Sequence, residues 1–170
     1  MQKENIGKMN TKTISINDAI EHLKYFSEDV IEFFSHIDIY HIISVEDKLE
    51  MKLPQDYIDF LLITNGVLLM GEEILGISIS EGNYGLIETY YFEHFEVENP
   101  MPKELIPFSP DGFGNHYCFD IINENIVLWE HDCDYNTYQP KVVCNTLGQF
   151  IQNEIIDNIL KEYDFKGNKK

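Results

Sequence analysis

Apolar residues recur at helical spacing in the first third of the chain and alternate with polar ones further on. Ile16, Ala19, Ile20, Leu23 and Phe26 form a stripe at intervals of three and four, with Ser15 and Asp18 as a partial capping box. A second helical stretch is expected over residues 28–34. Ser44 with Asp47 offers the cap of a short helix carrying Val45, Lys48 and Leu49. Pro54 stands where a proline opens a helix, because its missing N–H has no partner to lose there. Tyr57, Phe60, Leu61 and Thr64 follow at helical spacing, and Asn65 with Gly66 ends the run, since glycine adopts a left-handed terminus at little cost.

Beyond Gly66 the period changes. Residues 67–70, 74–79, 84–92, 116–121 and 125–131 are rich in β-branched and aromatic side chains, with Gly and Asn between them, and are predicted as strands. Tyr117, Phe119 and Ile121 alternate with His116, Cys118 and Asp120, and Asn123, Glu124 and Asn125 make a hairpin turn. A short strand at 142–144 precedes a last helix over 146–162, opened by a capping box of Thr146 and Gln149. Helices at both ends of a run of antiparallel strands predict an α+β fold, an antiparallel sheet flanked by helices. Phe60, Leu61, Phe119, Trp129 and Phe150 are its expected core. Residues 1–13 read as a flexible tail, 14–163 as one domain and 164–170 as a frayed end.

Charge narrows the function. Thirty acidic residues against 12 basic ones give a formal net charge of −18 in 170 residues. Nucleic-acid binding needs a clustered basic surface, and an anionic leaflet repels such a chain. No stretch approaches the ~18 apolar residues of a membrane span. Three cysteines without a C-x-x-C pair point to a reducing compartment, and the first residues lead into no apolar h-region, so a cytoplasmic protein is expected.

Catalytic and metal patterns are thin. His116 and His131 could meet across a hairpin and hold a metal for hydrolysis, but His116 and Asp120 stand about 13 Å apart along a strand. Asp132, Asp134 and Asn136 open like an EF-hand loop, which then fails at Thr137 and Val143. Cys118 alternates with large apolar neighbours as a small filler, and Cys133 sits between Asp132 and Asp134, where a thiolate is disfavoured. No nucleophile elbow or phosphate loop is present. No enzyme, cofactor or metal is therefore expected. The carboxylates instead form an extended negative surface. Glu88, Glu93, Glu96 and Glu98 surround Tyr91 and Phe95, and with Glu72 and Glu73 they are the candidate partner-binding residues: aromatic anchors within steering charge.

Three blocks carry a family resemblance. Leu53, Pro54, Asp56, Tyr57 and Phe60, ending in Asn65 and Gly66, resemble the L-P-x-[DE]-Y-x-x-F-L…N-G signature of the SUKH superfamily, whose best-known branch is the Smi–Knr type. Leu105 to Asp120, with the turn Asp111, Gly112, Gly114 and Asn115 and the closing Asp120, is similar to the second block. Val127, Trp129 and His131 are similar to the third block, a strand carrying Val, Trp and His, with one residue between Val127 and Trp129. The resemblance implies structural roles for these residues. In bacteria it implies an immunity protein that binds and neutralises the toxin domain of a cognate polymorphic or contact-dependent toxin, often a basic nuclease. In other branches it implies a regulatory or scaffolding module.

Overall fold

The computed structural model describes residues 13–77, 85–134 and 139–170. In chain order these form α1 (Ile16–Leu23), β1 (Ile31–Phe33), α2 (Ile39–Leu49), α3 (Gln55–Ile63), β2 (Val67–Leu69), β3 (Glu72–Ile74) and α4 (Leu86–Tyr91). A π-helical turn (Phe92–Glu96) continues α4, and β4 (Leu105–Pro110), β5 (His116–Asp120), β6 (Asn125–Trp129) and β7 (Lys141–Cys144) follow. The closing helix is α5 (Leu147–Phe150), a π-helical stretch (Ile151–Ile156) and α6 (Asp157–Glu162). The fold is α+β, with two antiparallel sheets ordered β1-β2-β3 and β4-β5-β6-β7. A bond from the Leu75 N–H to the Phe108 carbonyl (2.8 Å) joins them.

An aromatic stack forms the main core. Phe108 lies 4.1 Å from Phe119 and 5.0 Å from Phe150, and Tyr57 is 5.1 Å from Phe119. Phe60, Leu61, Phe119, Trp129 and Phe150 are all buried, as the sequence pattern predicts. The second sheet is covered on both faces, however. Met101, Leu105, Cys118, Val127 and Trp129 make a separate small core on the side away from the stack. A strand buried on both faces loses its clean alternation, which is why His116 and Cys118 are as buried as Phe119.

Several local expectations are corrected. Residues 28–34 form no helix. The Val30 N–H donates to Ser27, and β1 then pairs antiparallel with β2, placing Ile31 opposite Leu69. The completed ladder outweighs a helical-looking apolar pattern. Ser44 caps nothing, because α2 already starts at Ile39, capped by Asp38, whose carboxylate accepts from the Tyr40 and His41 N–H groups at 2.9 and 3.1 Å. The strand expected at 74–79 lies earlier, as β3, and its positions beyond Ile77 are outside the described residues. The strand expected at 84–92 is α4 instead. Leu86, Tyr90 and His94 bury one helical stripe, and that spacing overrides the β preference of the aromatics. Residues 164–170, expected to fray, are tied back: the Phe165 carbonyl accepts from the Ser27 N–H and the Lys170 N–H donates to Glu162. Residues 1–12 of the expected tail lie outside the described residues.

Asp38→Ala is expected to lower unfolding free energy by about 1 kcal/mol, while Ser44→Ala changes it by less than about 0.5 kcal/mol. Urea denaturation of the two variants checks where α2 begins.

Candidate interaction face

The segment from Gly85 to Asn99 forms a ledge whose Leu86 and Tyr90 join the main core and whose Glu93 reaches His116 beside the small core. Glu88 opens it by accepting from the Gly85 N–H at 3.1 Å. Tyr90 and His94 face inward and stack with ring centroids 3.9 Å apart. The π-helical turn rotates the next side chains relative to a regular helix. Tyr91, Phe92 and Phe95 face outward and are 40, 46 and 64% exposed. Three large exposed aromatics on one short segment are unusual for a surface that meets only water.

Buried polar contacts fasten the ledge. Glu93 and His116 are both buried, with Glu93 Oε1 3.0 Å from His116 Nε2, and the His116 ring stacks on Trp129. The Met101 N–H donates to the Glu93 carbonyl at 2.8 Å. Asn99 Nδ2 donates to the carbonyls of His131 and Cys133, at 3.1 and 2.8 Å. His94 presents Nδ1 to the Tyr90 carbonyl (2.7 Å) and Nε2 to the Pro102 carbonyl (3.1 Å). A neutral imidazole has one N–H and donates to only one of them. Burial nonetheless holds the His94 pKa below its usual value, against the pull of both carbonyls and the nearby Glu93 carboxylate.

These contacts redistribute the candidate partner-binding residues. Glu93 is turned inward and occupied by His116, so it offers no carboxylate to a partner. Glu88 is half-buried in its capping role, and Tyr91 donates its hydroxyl to the Lys48 carbonyl at 3.2 Å. Phe95, Glu96 and Glu98 are exposed. Glu72 and Glu73 lie on β3 in the other sheet, where burial raises the Glu73 pKa. Asp132 lines a groove of about 400 Å³ with Phe92, Glu98 and Trp129.

The motif residues act structurally. Leu53 and Phe60 are core, Pro54 caps α3, and the Tyr57 hydroxyl donates to the Leu75 carbonyl at 2.6 Å. Asp56 accepts the Leu147 N–H at 2.6 Å, linking the starts of two helices. The Asn65 side chain clamps Ile77 through two bonds of 2.8 and 2.7 Å, and Gly66 (φ 104°) leaves no room for a Cβ beside Gly76. In the Asp111–Asn115 turn, Gly112 and Gly114 take positive φ while Asp111 accepts from the Phe113 and Asn115 N–H groups. Asn115 Oδ1 meets the His131 N–H and Nδ1, and Asp120 caps the next turn at Ile122 and Asn123. His116 and His131 therefore serve separate partners. Among the described residues no group of three or more His, Cys, Asp or Glu is arranged for a metal.

Each thiol is pushed up. Burial acts on Cys118, Cys133 and Cys144, reaching about 12 for Cys144, with the Glu130 and Asp132 charges adding to it at Cys133. The Glu93–His116 and His94 contacts were not legible beforehand, because reading 84–92 as a strand hid the Leu86–Tyr90–His94 stripe.

The fold defines an α+β domain built on two antiparallel sheets. The SMI1 / KNR4 family (SUKH-1) matches residues 36–153, so the chain belongs to that family. It is similar to the SPbeta prophage-derived uncharacterized protein YokK of Bacillus subtilis (strain 168), at 22% identity over 163 residues, covering 81% of this chain and 85% of the relative. A crystal structure of a protein from Pseudomonas syringae pv. tomato shares the fold, with a TM-score of 0.62 and 20% identity over 81% of this chain and 96% of that one. No helix among the described residues is long and apolar enough to cross a membrane.

Because the folded His94 pKa lies below the unfolded one, the unfolded chain takes up a proton first as pH falls. The His94 contribution is thus present above about pH 6.5 and is lost below it. Between pH 7.5 and 5.5 the urea midpoint should drop further for the parent protein than for His94→Gln. Equal drops would show that His94 carries none of the dependence.

Proposed function

We propose that the protein is an immunity protein that binds the toxin domain of a cognate bacterial toxin and blocks it by stoichiometric occlusion, without a cofactor. The observation that carries this reading is the ledge itself: Tyr91, Phe92 and Phe95 exposed side by side and rimmed by Glu96 and Glu98. Aromatics of this kind anchor an interface once desolvated, and the surrounding carboxylates speed the approach of a basic partner. Membership of the SUKH-1 family supports a protein-binding role. The raised pKa values of all three thiols speak against nucleophilic catalysis. The proposed site of action is the cytoplasm, on a toxin domain that is basic because its own substrate is a nucleic acid. The Glu72–Glu73 pair, on another strand, would add long-range attraction to the contact.

Steering weakens with salt, because screening shortens the reach of charge to about 8 Å at physiological ionic strength. The test co-expresses the cognate toxin domain with the parent protein and with variants of the ledge. Glu96→Gln with Glu98→Gln should slow association and flatten its salt dependence. Phe92→Ala with Phe95→Ala should speed dissociation about tenfold or more and abolish protection. Full protection by both variants, with unchanged rates, would remove the ledge from the contact.

A further inference from the structure

Behind Phe92 the ledge and the β5–β6 end of the second sheet enclose the groove of about 400 Å³. Its accessible aromatic wall is Phe92, 46% exposed, with Val97 beside it and the fully buried Trp129 beneath. Its rim is acidic. Glu98 comes from the ledge, and Asp132, whose side chain is 81% exposed, comes from the loop after β6. The Asn99 bonds to His131 and Cys133 hold these two segments together, so the groove is built before any partner arrives. Gly114 also lines it, and a Cβ there would come within 3.2 Å of His131 Nδ1.

We infer that this groove receives an arginine side chain of the bound protein partner. The inference rests on the reading of the ledge as the partner-binding face. Two carboxylates at the mouth of an aromatic slot match a guanidinium in both respects: it pairs with carboxylate through a planar fork of donors, and it stacks on ring faces. A lysine ammonium is more strongly hydrated and gains less from the exposed Phe92 ring. The chain cannot fill the slot with its own guanidinium, because all 12 of its basic residues are lysines. Among the described residues no lysine forms an ion pair with Glu98 or Asp132. His131 approaches Asp132 only at 3.7 Å, and its Nδ1 is already 2.9 Å from the Asn115 carbonyl oxygen of the side chain.

The experiment needs no toxin. The peptide acetyl-Gly-Arg-Gly-amide is titrated into the full-length protein and followed by amide chemical shifts and by the emission of Trp129, the sole tryptophan. Saturable shifts are expected at Asn99, Gly114 and His131. The same peptide with citrulline, which keeps the shape and loses the charge, should bind about tenfold more weakly, as should the arginine peptide to Glu98→Gln/Asp132→Asn. Glu28→Gln/Asp29→Asn, an acidic pair elsewhere, should bind it normally. Equal binding of the two peptides, unchanged binding by the groove variant, or shifts scattered over all acidic surfaces would overturn the assignment. Arginine binding in the groove without protection from the cognate toxin, read in the co-expression test above, would leave the groove standing and sink the immunity reading. Protection without arginine binding would do the reverse.

Discussion

The contact between Glu93 and His116 is the constraint on which the exposed face depends. A carboxylate and an imidazole removed from water are costly unless each satisfies the other, and breaking one side leaves an unmatched polar group inside. Here the pair joins the π-helical turn to the first residue of β5, directly against Trp129. The turn is thereby fixed with Glu93 and His94 inward, and the neighbouring positions Tyr91, Phe92 and Phe95 are left outside. Exposed aromatics and a buried acid are thus two consequences of one local geometry.

The rest of the fold supplies a rigid base for that geometry. The second sheet is packed on one face by the Phe108–Phe119–Phe150 stack and on the other by the Met101, Cys118 and Trp129 cluster. Helix starts are tied to one another through Asp56 and the Leu147 N–H, so α3 and α5 dock as a unit. Asn99 fastens the far end of the ledge to the loop after β6. A pre-organised face loses less conformational entropy when a partner binds it.

Much of this was legible in the chain. The Pro54 helix, the Asp111–Asn115 turn and the Trp129 strand follow from backbone chemistry acting within a few residues, and they match what the sequence predicts. The misreadings share a physical origin. Residues 28–34 and 84–92 hold similar mixtures of aliphatic, aromatic and acidic side chains, and only distant partners decide between helix and strand. For the first, the partner is the edge of β2; for the second, it is β4 and the main core, which Leu86 and Tyr90 join. The same reversal turned Glu93 from an expected surface charge into an interior one, because a strand and a π-helical turn send position 93 to different sides.

The most direct measurement is amide hydrogen exchange across residues 86–101 in the parent protein and in His116→Ala. If the Glu93–His116 contact fixes the ledge, amides of the turn exchange slowly in the parent and about tenfold or more faster in the variant, while those of β4 and β6 keep their protection. Equal exchange of the turn in the two proteins would contradict the account, because the ledge would then be held by something other than the buried pair.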